Sequence, residues 1–372
     1  DRTAPALTSF TVAEGTRTNA STLSYSLVFG ENISGLTTGD FTIVGTSCSP
    51  SLSAASGVSF TLTLSSCANT QTVSVYLNAN AVSDDATNTG PSSASATLST
   101  IIDRTPPTLS SSSATTTADI AISNGLSAVN NFKYILTFSE AVNFSSSNVT
   151  ATNCTIGTIT TVSTSQYKVA VTNCTDGSNT LTISGVQDLA GNTLASNVNA
   201  LSITVDTVAP TVTSLTSNKT SPTNSTSMTY TLVMSESITT LTAAMLTGTN
   251  CTVGTPTGSG TTWTISVTGC TNGTTATLQV NTSVTDLAGN ALASAYLSAG
   301  IVIDTTAPTA SSFTTSSALP TRIAPTYRIT FAEPITGLTS GDFTNNLSAS
   351  PACTVSLATV TDGTVYDVTY SA

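Results

Sequence analysis

The sequence predicts an all-β chain of tandem two-sheet sandwiches with Greek-key connections, arranged end to end, and three observations carry that prediction. Ser and Thr together exceed a third of the 372 residues while only 7% are charged, a composition suited to strands and tight turns and poor in helix formers. Apolar residues recur with period two, as on a strand with one buried face. A short phrase returns four times, as Asp1-Arg-Thr-Ala-Pro5, Asp103-Arg-Thr-Pro-Pro107, Asp206-Thr-Val-Ala-Pro210 and Asp304-Thr-Thr-Ala-Pro308, at spacings of 102, 103 and 98 residues. Self-similarity at that period marks an array of domain-sized modules. They run over 1–102, 103–205, 206–303 and 304–372.

Each element of a period follows from its residues. The phrase itself is a linker: its Pro fixes φ and donates no N–H, which makes the connection semi-rigid. A first strand alternates as Leu23, Tyr25, Leu27, Phe29 in the first repeat. Its counterparts are Phe132, Tyr134, Leu136, Phe138; then Met228, Tyr230, Leu232, Met234; then Tyr327, Ile329, Phe331. Each is followed by a turn carrying an acid, namely Glu31, Glu140, Glu236 or Glu333. A second strand alternates behind an aromatic anchor, as Phe60-Leu62-Leu64, Tyr167-Val169-Val171, Trp263-Ile265-Val267 and Tyr366-Val368-Tyr370. A late turn reads Asp188-Leu-Ala-Gly-Asn192 and Asp286-Leu-Ala-Gly-Asn290, with a degenerate Asp84-Asp-Ala-Thr-Asn88 in the first repeat.

The cysteines test this alignment independently. Cys48 and Cys67, Cys154 and Cys174, Cys251 and Cys270 are separated by 19, 20 and 19 residues, and the second always follows the aromatic anchor by seven. Two antiparallel strands joined by a short turn bring such positions together, so the expectation is one disulfide per repeat, each worth about 3 kcal/mol in the chain-entropy model. Buried free thiols are the alternative. Tyr366 places the partner of Cys353 at position 373, one residue beyond the sequence, so Cys353 is expected to be unpaired and the fourth module cut short. With no initiator Met or leader at the start, the chain is expected to be a segment of a longer polypeptide. Recurrent disulfides imply export through an oxidising periplasm to the cell exterior.

Eleven of the 19 acids fall on three recurring positions: Asp1, Asp103, Asp206, Asp304 in the linkers; Glu31, Glu140, Glu236, Glu333 after the first strand; Asp84, Asp188, Asp286 in the late turn. In a Greek-key sandwich these three places share a pole. Converging carboxylates would suit Ca²⁺, a hard cation that takes six to eight oxygens, at each domain junction. The competing reading is local: Asp caps its own turn, Gly191 and Gly289 supply positive φ, and Glu is solvated.

Composition removes most other functions. Three Lys and five Arg against 19 acids, a net charge of −11, provide no electrostatic footprint for nucleic acid or an anionic membrane surface. No apolar run approaches the length of a membrane span. Without histidine there is no Ser-His-Asp or Cys-His arrangement and no His-ligated zinc, and the acids look positional, so no enzyme is expected. Sequons such as Asn32-Ile-Ser34 and Asn272-Gly-Thr274 are frequent, as chance alone makes them in a chain this rich in Thr.

The linker phrase, the segments Ser139-Glu140-Ala-Val142 and Gly35-Leu-Thr-Thr-Gly-Asp-Phe41, and the Asp-x-Ala-Gly-Asn turn resemble the bacterial immunoglobulin-like repeats of very large surface proteins, including biofilm-associated and adhesin-type proteins. That resemblance implies an Ig-like sandwich in each repeat and a non-catalytic task at a bacterial surface. The paired cysteines depart from the cysteine-poor repeats of many such adhesins. A stalk or fibre is the first expectation, on the order of 150 Å long if each sandwich spans roughly 40 Å. A self-assembling filament, sheath or surface-layer subunit is the alternative, because edge strands carry few Lys. A glycan- or receptor-binding module is a third class, and one Trp with 5% aromatics leaves no surface patch for it. The surface ligand is not identified; copies of the chain itself are candidate partners.

Overall fold

A computed structural model describes residues 2–45, 47–315, 324–344 and 353–371. The first repeat contains β1 (Leu7–Val12), β2 (Arg17–Thr18), β3 (Leu23–Ile33), β4 (Phe41–Val44), β5 (Ser49–Leu52), β6 (Gly57–Ser65), β7 (Gln71–Leu77), β8 (Val82–Ser83), β9 (Thr89–Gly90) and β10 (Leu98–Ile102). Two four-stranded sheets, β1-β3-β6-β5 and β2-β10-β7-β4, form a sandwich, with β8-β9 as a small hairpin. The chain leaves the first sheet at β4, returns at β5 and leaves again at β7, a Greek-key path. Leu23, Tyr25, Leu27, Phe29, Phe60, Leu62 and Leu64 point inward from one sheet and meet Val73, Val75, Leu77 and Ile102 from the other. All of them are buried, as alternation on one face requires.

The second repeat repeats this path with β11 (Leu109–Thr116), β12 (Leu126–Ser127), β13 (Phe132–Phe138), β14 (Val142–Asn143), β15 (Val149–Thr152), β16 (Thr155–Ser163), β17 (Gln166–Thr172), β18 (Gly177–Ile183), β19 (Gln187–Asp188), β20 (Val198–Asn199) and β21 (Ile203–Val205). Its sheets are β11-β13-β17-β16 and β12-β21-β18-β15, with β20 beside β18 and a separate β14-β19 pair. The third has β22 (Val212–Ser217), β23 (Met228–Met234), β24 (Leu246–Thr249), β25 (Thr252–Val253), β26 (Thr257–Ser259), β27 (Thr262–Thr268), β28 (Thr275–Val280), β29 (Tyr296–Leu297) and β30 (Ile301–Val302). There β22-β23-β27-β25 faces the sheet built on β24 and β28. A parallel contact next to the exit linker recurs, as β2 with β10, β12 with β21, and a Thr223–Ile303 bridge.

Residues 304–372 differ. Their described strands, β31 (Ala310–Thr315), β32 (Thr326–Phe331), β33 (Thr354–Thr361) and β34 (Val365–Ser371), form one sheet in the order β31-β32-β34-β33. Tyr327, Ile329 and Phe331 are therefore only half-buried, while Tyr366 and Val368 on the central strand are buried. A second difference concerns Glu31. β3 runs on through it to Ile33, because pairing with β6 breaks register after Val28 and resumes at Ile33–Gly57, so Glu31 lies in an irregular strand and not in a turn.

The chain divides into two compact units, one of Asp1–Ala209 with Leu287–Asn290, the other of Pro210–Asp286 with Ala291–Ala372.

Candidate functional site

The first unit contains the complete junction between the first and second repeats. Asp103 leaves β10 with its N–H bonded to Thr18 O at 2.9 Å. Its Oδ1 accepts the Thr105 N–H, and its Oδ2 lies 3.4 Å from the Arg17 guanidinium. Glu140 sits in the bend after β13. Asp188 is buried and closes its own turn: Oδ1 accepts Ala190 N–H and Asn192 N–H at 2.8 Å each, and Oδ2 accepts Asn192 Nδ2 at 2.7 Å. Asn192 Nδ2 also donates to Asp103 O at 2.8 Å, and Asn19 N–H donates to Ala190 O at 3.1 Å. The late turn of the second repeat thus docks on the exit of the first through both side chain and backbone.

One oxygen of each of Asp103, Glu140 and Asp188 lies within 4.8 Å of the others. The electrostatics match that crowding. Burial, then the negative charges of Asp103 and Asp188, push the Glu140 carboxyl above its ordinary range, against the opposing pull of Arg17. A cation here would relieve the repulsion, and three carboxylates in one place are the donor set a hard divalent ion requires.

The other acids are placed as follows. Asp84 makes the same turn as Asp188, accepting Ala86 N–H, Asn88 N–H and Asn88 Nδ2 at 2.9, 2.8 and 2.7 Å. Thr87 at φ 69° stands where Gly191 has φ 91°. These bonds, led by the Asn88 side chain, hold the Asp84 carboxyl below the usual carboxylate range. Its expected companion Asp1 lies outside the described residues. In the second unit Glu236 and buried Asp286 present oxygens within 4.8 Å of each other. An Ile238–Asp286 bridge and Thr239 N–H to Thr285 O at 3.0 Å hold their segments together. In the first unit Asp206 accepts Val208 N–H at 3.1 Å, and its carbonyl accepts Asn290 Nδ2 at 2.7 Å. Asp304 accepts Thr306 N–H at 3.0 Å, and among the described residues neither Asp304 nor Glu333 belongs to a cluster of three carboxylates.

Disulfides join Cys48 to Cys67, Cys154 to Cys174 and Cys251 to Cys270. Each ties the residues at the open end of an edge hairpin, as β5-β6 shows, with the first cysteine half-buried and the second buried. Cys353 lies just before β33 and is half-buried. From the sequence Asn192 and Asn290 read as turn residues, and their recurrence is the one signal of their bonds to the linker carbonyls.

Residues 206–302 match the family model of the bacterial Ig-like domain. No curated protein matches the sequence. Among solved structures, invasin, described as a bacterial integrin-binding protein, is 14% identical, with 99% of this chain and 73% of that chain covered and a TM-score of 0.37. A Bacteroides ovatus protein of a mixed-linkage glucan utilization locus, SGBP-B, in complex with a mixed-linkage heptasaccharide, is 12% identical over 85% of this chain and 74% of that one, with a TM-score of 0.16. Likenesses this remote describe those proteins alone.

Proposed function

We propose that this chain, which carries a bacterial Ig-like domain over residues 206–302, is a non-catalytic segment of an extracellular bacterial surface protein. In it four modules, 1–102, 103–205, 206–303 and 304–372, act as a stalk or spacer. The observation that carries this reading is where the recurring residues are used. Asp103, Asn192 and Asp188 join one repeat to the next or close the turn that does so, and the cysteines close hairpins. None of them lines the clefts formed by residues 4–10 with residues 91–96 or by residues 143–148 with Gly185 and Gln187. Three disulfides support export through an oxidising compartment. Ca²⁺ at Asp103, Glu140 and Asp188 would stiffen the first joint, and the pair Glu236 and Asp286 would contribute to an equivalent ion site.

Self-assembly is the second reading, favoured by β16. This edge strand has nine residues, Pro and charge are absent from it, and most of it is exposed. Such an edge is a template for strand pairing. Sedimentation over a concentration series, with Ca²⁺ and with chelator, separates the two. A stalk stays monomeric throughout and sediments as a stiffer particle with Ca²⁺, whereas mass growing with concentration makes assembly the function. Sedimentation indifferent to Ca²⁺ removes the ion from the account.

A further inference from the structure

The residue two positions beyond the second cysteine makes the same contact in three repeats. Asn69 Oδ1 accepts the Arg104 N–H at 2.6 Å, and Asn69 Nδ2 donates to Thr105 Oγ1 at 3.0 Å. Asp176 Oδ1 accepts the Thr207 N–H at 3.0 Å and the Thr207 hydroxyl at 2.9 Å. Asn272 Oδ1 accepts the Thr305 N–H at 2.7 Å, and its Nδ2 donates to Thr306 Oγ1 at 2.9 Å. In every case the acceptor meets the first backbone amide after the linker Asp. Because that amide is backbone, the grip works with Arg104, Thr207 or Thr305 in place.

The corner that presents this side chain is built alike each time. The second cysteine donates its N–H to the loop before the first long strand: Cys67 to Ser21 O at 3.1 Å, Cys174 to Asn130 O at 3.0 Å, Cys270 to Thr226 O at 3.0 Å. In the second and third repeats the next residue donates to the one preceding the first cysteine, Thr175 to Asn153 O and Thr271 to Asn250 O, both at 3.0 Å. The disulfide lies inside this corner, one residue away from the gripping side chain. The buried strands of each repeat are held by two sheets besides, while the disulfide ties the end of the hairpin from which the side chain reaches out.

We propose that Asn69, Asp176 and Asn272 are linker clamps and that the hairpin disulfides anchor them, so that reduction by a dithiol loosens each exit linker while its repeat stays folded. The dithiol attacks as a thiolate at the half-buried sulfur of Cys48, Cys154 or Cys251, expelling the partner sulfur as a thiolate. Its second thiol then displaces the first cysteine, leaving a cyclic disulfide of the reductant and two protein thiols. Two electrons and two protons pass to the protein in all.

Amide hydrogen exchange on the full chain tests this, with Arg104, Thr207 and Thr305 as reporters and the central-strand amides of Tyr25, Tyr134 and Tyr230 as controls. Dithiothreitol, or Asn69→Ala, Asp176→Ala and Asn272→Ala without it, should speed the matching reporter about five- to tenfold, the range that losing one or two hydrogen bonds allows, and leave the controls slow. Asn272→Asp keeps the Oδ acceptor, as Asp176 does, and should restore slow exchange at Thr305. Linker amides indifferent to the alanine variants overturn the clamp. Reporters indifferent to reduction, or control amides that lose their protection altogether under it, overturn the anchoring, the latter because the repeat would then have unfolded with its disulfide.

Discussion

The exits of the first and third repeats begin from the same grip and end differently. At the first, Asn69 holds the linker backbone, and Arg104 adds its guanidinium to Cys67 O at 2.8 Å and Ala20 O at 3.4 Å while Arg17 faces Asp103. At the third, Asn272 holds the linker and Thr305 has no side chain long enough to reach those carbonyls. The shared part needs only a backbone amide and a side-chain oxygen, so it forms with Arg104 or Thr305 in the linker alike. The added part depends on one Arg and is confined to the repeat that has it. A joint of this kind therefore has a recurring geometry and an adjustable strength.

Removing the disulfides should produce the largest effect and the same one at both ends. Replacing Cys48 and Cys67, or Cys251 and Cys270, by Ala pairs should cost about 3 kcal/mol in each repeat, since both close loops of equal length. Denaturant unfolding followed repeat by repeat checks this, and unequal losses would mean that Arg104 and its bond to Cys67 O carry part of the load. Asp188→Ala removes the acceptor of three hydrogen bonds beneath the first joint and should cost about 2 kcal/mol by the same measurement. Arg104→Thr converts the first exit into the third and should cost about 1 kcal/mol; proteolysis within 103–107 should then match that within 304–308.

The smallest effect is electrostatic. The Glu140 carboxyl titrates above its ordinary range in the folded chain, so the folded state holds the proton more readily than the unfolded one. Stability from this group is full below its unfolded pKa of about 4.3 and declines as pH rises through the raised value. Glu140→Gln should therefore flatten the pH dependence of unfolding between pH 4 and neutrality, at roughly 0.5 kcal/mol, and should also lower Ca²⁺ affinity at that joint.

Much of this was legible before the structure. Period two fixed the inward faces of β3, β13 and β23, and the constant 19- or 20-residue spacing matched the hairpins that the disulfides close. Recurrence alone singled out Asp103, Glu140 and Asp188, which the fold brings together. Other features could not be read. The clamps mix Asn with Asp and bond across roughly 31 to 36 positions, so no local pattern marks them. The bulge that carries Glu31 inside β3 depends on register with β6. In residues 304–372 the alternation specified the strand correctly, but burial of Tyr327, Ile329 and Phe331 takes a second sheet that the described strands there do not include.

The most direct test of the central claim, that recurring residues hold the first and second repeats in fixed register, is a set of backbone residual dipolar couplings on the full chain, fitted separately for strands of residues 7–102 and 109–205. The account predicts that both sets fit one alignment tensor, in magnitude and orientation. Two unrelated tensors would show the repeats reorienting freely and would contradict it.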